Sequence, residues 1–279
     1  MDKRPAAVTG IIGMVTLSAI FEELIFNDHD AASPARTKKP AVITFIGSGG
    51  KTSLIWLLAR SLAKRPQAGA EQRKILVTPT AKMLPPQESE NRYDRYCTEP
   101  PVDAAPGITL AGMYNEKTGK LESFALPVLE QLSAAYDLVL IEGDGCRGLP
   151  LKGWADYEPV VPPFTDITVG IVPLLPLGVP ISEKIIHRLP QFCSLCDAQP
   201  GEILASTHLA QVIGGNARRP SAYRSLFSAA QGKRALFLNQ GEDSGAPERG
   251  LEIIKLLPDE FRGSLYRIIV GSVHQNSIC

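Results

Sequence analysis

The sequence predicts an α/β fold in which a mostly parallel sheet carries helices on both faces. Short β-branched apolar runs, the kind buried on both sides in parallel sheets, recur at 41–46, 74–78, 136–141, 167–172, 235–239 and 266–270. Segments with apolar residues at helical spacing alternate with them, as βαβ units require. There is no internal repeat. The 279 residues balance 29 Lys+Arg against 29 Asp+Glu, with 44% hydrophobic and 21% charged residues. Balanced charge argues against a nucleic-acid or membrane-surface partner. Gly (24) and Pro (23) indicate many loops, though too few for a disordered or fibrous chain. A cytoplasmic enzyme or a nucleotide-driven accessory protein fits this composition.

Taken in chain order, an apolar run from Ala6 to Phe21 follows Lys3 and Arg4. It superficially resembles a signal peptide but is too short to span a membrane. Ile11, Ile12, Val15, Leu17, Ile20, Phe21, Leu24 and Ile25 fit a helix that docks one face on a core. Asp28-His-Asp30 ends it, and Ala32 to Pro40 reads as a polar linker. Residues 1–39 are therefore expected as an N-terminal helix and linker, ahead of a nucleotide-binding α/β domain at 40–279.

Ala41 to Ile46 is the first buried strand, and Gly47-Ser-Gly-Gly-Lys-Thr-Ser53 follows at once. Leu54, Ile55, Leu57, Leu58 and Leu62 then recur at helical spacing. Strand, glycine loop, Lys-Thr and helix form the context of a phosphate-binding P-loop, or Walker A motif, and predict a P-loop NTPase-like three-layer fold. Gly47, Ser48, Gly49 and Gly50 bring backbone N–H groups together, and the helix start at Lys51, Thr52 and Ser53 adds its positive end. Lys51 supplies charge to the β/γ-phosphates, and Thr52 a hydroxyl for Mg²⁺. The bound nucleotide is expected to be ATP or GTP. Phe45 stands where the GxxxxGK[ST] loop has its first glycine, so the loop is closer to the compact GxxGK[ST][ST] of ATP-dependent Mur-type ligases.

Lys74 to Thr78 is a second strand, and Thr78, Thr80 and Lys82 at its C-terminal end are candidate ligand contacts. Glu88 to Pro106 reads as a loop, Gly107 to Met113 as a strand, Asn115 to Gly119 as a turn and Leu126 to Ala135 as a helix. Tyr136 to Ile141 is a strand that ends in Glu142-Gly-Asp-Gly-Cys-Arg-Gly148. Parallel strands deliver their C-terminal ends to the ligand crevice. Asp144 is expected to share Mg²⁺ with Thr52, Glu142 to orient a nucleophile, and Arg147 to stabilise developing phosphate charge. Lys51, Lys82 and Arg147 are expected to converge with Glu142 and Asp144 in one crevice.

Ile167 to Val172 is a further strand, and Pro173 to Pro180 breaks regular structure. Ser182 is expected to cap a helix carrying Glu183, Lys184, His187 and Arg188. His187 is a proton-transfer candidate or a surface histidine. Cys193 and Cys196 form a lone CxxC, flanked at a distance by His187 and His208. No second CxxC completes a zinc site, so structural thiols, a redox pair and a metal site all stay open. Ser206 to Ile213 reads as a helix, and Ala235 to Asn239 as a strand. Asn239-Gln-Gly-Glu-Asp243 compares with the Asn-Lys-x-Asp of several GTPases, with Gln in place of Lys and the Asp one residue late. Asn239 is a candidate base contact, without guanine specificity. Glu248 to Leu257 is an amphipathic helix before the last strand.

Phe45-Ile-Gly-Ser-Gly-Gly-Lys-Thr52, Ile75 to Met83, Ile141-Glu-Gly-Asp-Gly-Cys-Arg-Gly-Leu-Pro-Leu-Lys152, Glu158 to Pro162 and Leu238-Asn-Gln240 together resemble the YqeC family of selenium cofactor biosynthesis, or selenium-dependent hydroxylase accessory, proteins. The resemblance spans roughly residues 40–272, and the Asp-Gly-x-Arg-Gly-Leu-Pro-Leu-Lys stretch is its most specific part. It implies a P-loop fold and a role in maturing selenium-dependent molybdenum hydroxylases, with such a hydroxylase or its cofactor-maturation proteins as partners. Departures are Cys146, where the family pattern has Ser, and Pro79 and Ala81, where it has Thr. Cys146 is either a small residue replacing Ser or a thiol that handles sulfur or selenium. Two classes follow: a Mg²⁺-dependent NTPase or NTP-dependent transferase, including a Mur-like ligase, and a nucleotide-gated binding module.

Overall fold

The computed structural model describes residues 15–26, 40–63, 71–215 and 224–279. Its first elements are α1 (Leu17–Phe26), β1 (Ala41–Gly47), α2 (Lys51–Leu62), β2 (Lys74–Pro79), β3 (Lys82–Met83), β4 (Arg95–Cys97) and β5 (Gly107–Ala111). Next come β6 (Met113–Asn115), β7 (Lys120–Glu122), α3 (Leu126–Ser133), β8 (Leu138–Glu142), β9 (Leu151–Lys152), β10 (Ile167–Pro173) and β11 (Ile186–His187). The chain continues through α4 (Leu189–Cys196), α5 (Ser206–Gly214), β12 (Lys233–Asn239), α6 (Ala246–Leu256), α7 (Asp259–Gly263), β13 (Arg267–Ser272) and β14 (Ser277–Ile278).

Nine strands form one sheet in the order β14-β13-β12-β10-β1-β8-β2-β5-β4. Every neighbouring pair is parallel except the edge pair β13–β14. Every residue of β1, β8 and β10 is buried, which explains why these strands read as unbroken apolar runs. Alternate side chains serve opposite layers. Ile43 and Phe45 pack with α1 and α2, Val42 packs on the α3 side, and Ile46 packs among α4, α5 and α6. Thr44, fully buried between them, shares a 2.9 Å hydrogen bond with the Thr165 hydroxyl.

Helix α1 buries Leu17, Phe21, Leu24 and Ile25 in the same cluster as β1 and α2, and Phe21 meets Phe237 edge-on at 5.9 Å. Residues 1–14 and 27–39, which hold the start of the expected helix and its linker, lie outside the described residues. Among the described residues, no helix is long and apolar enough to cross a membrane.

Three local expectations are corrected. The polar segment 88–106 contains the short strand β4, which pairs with β5. The strand expected at 107–113 stops at Ala111, because the chain turns out of the sheet at Gly112 into the three-stranded β3-β7-β6 sheet. No helix starts at Ser182: residues 183–185 form a turn, β11 pairs with β9, and α4 begins only at Leu189. Pro190 lies in the first turn of α4, where its missing N–H costs nothing, so it suits a helix that starts at Leu189 and not one that runs through from 183.

From β1 the chain moves to β2 on one side of the sheet and later to β10, β12 and β13 on the other. The strand order reverses at β1, so its carboxyl end opens on a crevice where ligands of open α/β sheets bind.

Candidate functional site

The glycine loop occupies that crevice. Gly47 has φ 96°, and a Cβ there would lie 2.2 Å from the Ile171 carbonyl oxygen of β10. Gly50 has φ 129°, and a Cβ would lie 2.2 Å from Asn239 Nδ2. Only glycine fits both positions, so the chain can turn tightly from β1 into α2 against its neighbours. The Ser48 N–H donates to the Ile171 oxygen at 3.1 Å and pins the loop to β10. Gly50 is the N-cap of α2 and offers no side-chain cap, which leaves the first-turn N–H groups and the helix dipole directed at the crevice.

Buried charge surrounds the loop. Lys51, 3% exposed, donates from Nζ to the Gly47 oxygen at 2.5 Å and pairs with Asp144 Oδ1 at 3.2 Å. Asp144 is wholly buried and accepts the Gly47 N–H at 3.1 Å, Trp154 Nε1–H at 2.9 Å and Lys152 Nζ at 3.1 Å. Lys152 also donates to the Gly145 oxygen at 2.6 Å and Glu158 Oε2 at 2.7 Å. Arg188 closes the chain, with Nη1 on Glu158 Oε2 at 2.5 Å and Nη2 on Tyr157 Oη at 3.1 Å. Burial alone disfavours the Asp144 carboxylate, but Lys51, Lys152 and the Gly47 and Trp154 donors outweigh it and hold its pKa below the ordinary range. Burial likewise works against the Lys51 ammonium, and Asp144 with Glu142 reverses the effect and holds its pKa above the ordinary range.

Glu142 ends β8 beside β1. It accepts the Thr52 hydroxyl at 2.8 Å, and burial raises its pKa against the opposing pull of Lys51 and Thr52. The Thr80 N–H donates to the Glu142 backbone oxygen at 3.0 Å and the Thr80 hydroxyl to the Val160 oxygen at 2.6 Å. Thr80 therefore shapes the wall beside Glu142.

Gly47, Ser48, Gly49, Gly50, Lys51, Thr52, Glu142 and Asp144 are brought together, but the pairing differs from expectation. Thr52 meets Glu142, whereas the Asp144 oxygens are occupied by four donors. A two-residue step past the strand end carries Asp144 back over Gly47 instead of alongside Glu142. Arg147 is exposed with φ 53°, and Ser53 is exposed on the first turn of α2. Lys82 lies outside the crevice, where it pairs with Glu122 at 2.8 Å on the small sheet. Thr78 buries its hydroxyl without a hydrogen-bond partner. Asn239 acts as a strut: Nδ2 donates to the Gly49 oxygen at 2.7 Å, and Oδ1 accepts the Val273 N–H at 3.0 Å. Lys152, Trp154, Glu158 and Arg188 had no assigned role in the sequence reading. The signal was present, since Lys152 ends the distinctive Asp-Gly-x-Arg-Gly-Leu-Pro-Leu-Lys stretch.

Beside the loop lies a cavity of about 690 Å³ that runs from Gly50 and Ser53 to Asn239, Gln240, Glu242 and His274. Its size falls within the range of small-molecule sites, roughly 300–1,000 Å³. The Cys193–Cys196 pair is elsewhere, on α4, with both thiols free and Cys196 Sγ 3.4 Å from the His208 oxygen. Among the described residues, no group of three or more His, Cys, Asp or Glu is arranged to hold a metal ion.

His187 sits at the edge of the ion network. Burial first, then the Arg188, Arg147 and Lys152 cations, lower its pKa to about 4, with Glu158 opposing. The unfolded histidine takes up its proton near pH 6.5 and the folded one only near 4. The His187 contribution is therefore complete above about pH 6.5 and is lost as pH falls towards 4. NMR titration of the His187 ring is expected to show a neutral imidazole at pH 5, and a midpoint near 6.5 would contradict this environment.

A family model described as "YqeC protein" matches residues 43–190, more than half of the chain. That span contains the glycine loop and the whole network from Lys51 to Arg188. The chain is also 28% identical over 211 residues to "Uncharacterized protein YqeC" of Escherichia coli (strain K12), covering 73% of this chain and 77% of that protein.

Proposed function

The chain belongs to the YqeC family, and from that premise we propose that it is a P-loop NTPase-like protein that binds ATP or GTP with Mg²⁺ and hydrolyses or transfers the γ-phosphoryl group. One observation carries the proposal: the glycine loop, Lys51, Thr52 and Glu142 meet at the carboxyl ends of adjacent parallel strands where the strand order reverses. The residues fit their ligands. A glycine cradle that a Cβ would fill, followed by an uncapped helix start, suits phosphate. A hydroxyl and a carboxylate 2.8 Å apart suit the oxygen preference of Mg²⁺. Thr52 and Glu142 would hold the metal, which when bound neutralises phosphate charge.

Lys51 binds phosphate oxygens, which requires its ammonium to leave the Gly47 oxygen. Asp144 positions Lys51 and the loop through Gly47 and does not itself ligate metal. Arg147 is exposed beside the site, which leaves its guanidinium accessible to a docking partner and favours a chain whose turnover rises when that partner turns it onto the phosphates. We read that partner as a selenium-dependent molybdenum hydroxylase or one of its cofactor-maturation proteins, with this chain as the nucleotide-driven accessory.

Thermal unfolding with Mg²⁺ and each nucleoside triphosphate tests the binding step. A triphosphate at 100 times its Kd is expected to stabilise the chain by about 2.7 kcal/mol. Absence of a shift with every nucleotide would sink the proposal.

A further inference from the structure

The cavity beside the glycine loop continues past the phosphate-binding residues and ends on side chains with their own chemistry. We propose that it takes a guanine base and that the Glu242 carboxylate reads it, an inference that rests on the nucleotide reading of the loop. Gly50, the N-cap of α2, and Ser53 in its first turn line the cavity next to the proposed phosphate site, and Trp56 and Arg60 continue that wall along the helix. Asn239, which ends β12, Gln240 and Glu242 after it, and Val273 and His274 after β13 line the same cavity, so a base attached to phosphates in that site would enter among them.

Asn239 is committed to the protein. Its amide joins the Gly49 oxygen to the Val273 N–H, so it holds the ends of β12 and β13 against the loop and does not face a base. Glu242, three residues on, is exposed and lines the cavity. The hydroxyl of Ser272, a fully buried residue, donates to Glu242 Oε1 at 2.6 Å, and the Ser272 oxygen in turn accepts the Gln275 N–H at 3.1 Å. The carboxylate is thus oriented from β13 and keeps lone pairs on both oxygens. Gln240, at φ 64°, lines the same cavity with a buried Oε1 that has no hydrogen-bond partner.

A carboxylate held in one orientation selects for adjacent donors, and Gln240 Oε1 adds an unpartnered acceptor to the lining of the same cavity. Guanine presents N1–H and N2–H side by side, which a carboxylate accepts as a pair. Adenine and cytosine place a ring-nitrogen lone pair next to their amino group, so one carboxylate oxygen would meet another acceptor. Uracil offers one N–H between two carbonyls. A polar site built for two donors rejects bases that lack them.

Calorimetric titration of the full chain in Mg²⁺ with GDP, ADP, CDP and UDP tests the inference. GDP is expected to bind at least tenfold more tightly than the other three. Glu242→Gln is expected to weaken GDP at least tenfold, leave ADP unchanged, and bind xanthosine diphosphate more tightly than GDP. The new amide N–H meets the xanthine 2-carbonyl, and gain of that ligand also demonstrates a folded variant. Equal affinity for GDP and ADP in the wild type, or equal weakening of both in Glu242→Gln, overturns the guanine assignment and leaves the phosphate site standing. No binding of any nucleotide overturns both.

Discussion

Lys152→Met is expected to lower the unfolding free energy by about 3 kcal/mol. That is the low end of the roughly 3–5 kcal/mol for breaking a buried ion pair from one side. The methionine keeps much of the apolar stem but leaves Asp144, Glu158 and the Gly145 oxygen without the ammonium they share. The effect stays at the low end because Asp144 retains Lys51 and Glu158 retains Arg188. At about 2–4 °C per kcal/mol for a chain of this size class, the midpoint should fall by roughly 6–12 °C. Urea unfolding measures the loss. The double variant Lys152→Met, Glu158→Gln should be less destabilised than the sum of the two single variants, because both changes delete the same Lys152–Glu158 contact and the sum counts it twice. Strict additivity would mean that Lys152 and Glu158 are not energetically coupled.

Lys51→Met is expected to abolish nucleotide-dependent stabilisation while the chain still folds. The ammonium is the cation nearest the glycine loop, at 2.5 Å from the Gly47 oxygen, and the loop N–H groups alone supply partial charges. Asp144 keeps Lys152, Trp154 and the Gly47 N–H in this variant, so the cost to the apo fold is expected to stay below that of Lys152→Met. Thermal unfolding across a nucleotide titration separates the two quantities, with the midpoint at zero ligand reporting folding and the slope reporting binding. A variant that still gains the wild-type shift would remove Lys51 from the phosphate site.

The contrast between these two lysines shows how much of the site was legible in the sequence. Lys51 announces itself because its context is local: an apolar strand, three glycines within four residues, and a helix that starts with it. Lys152 announces itself only as part of a resemblance. Its partners, Asp144 and Glu158, are eight and six residues away on loops with no periodicity, and the strand pairing β9–β11 that brings Arg188 beside them spans only two residues on each side. Two-residue strands carry no pattern that a sequence reading can detect. The same limit applies to the helix expected after Ser182: a capping residue is a local signal, whereas the two-residue β9–β11 pairing that takes up Ile186 and His187 leaves none.

Asn239 shows a different limit. Its residue type and its place at a strand end suggested a base contact, and both are compatible with the strut that the structure makes of it, because Gly49 lies 190 residues earlier. Glu242 passed unassigned for a related reason: its significance depends on a buried serine thirty residues later on the neighbouring strand.

By itself the sequence determined the parallel strands, the glycine turn into α2, and the placing of a carboxylate at the end of β8. Each follows from local chemistry: burial on both faces demands apolar runs, the φ of 96° and 129° at Gly47 and Gly50 demands glycine, and parallel strands send their carboxyl ends to one side. Only the tertiary structure decided which carboxylate meets which cation. Coulomb energy depends on distance and on solvent exclusion, and both were set when separated loops closed over Asp144. That closure gave Thr52 to Glu142 and gave Asp144 to two lysines.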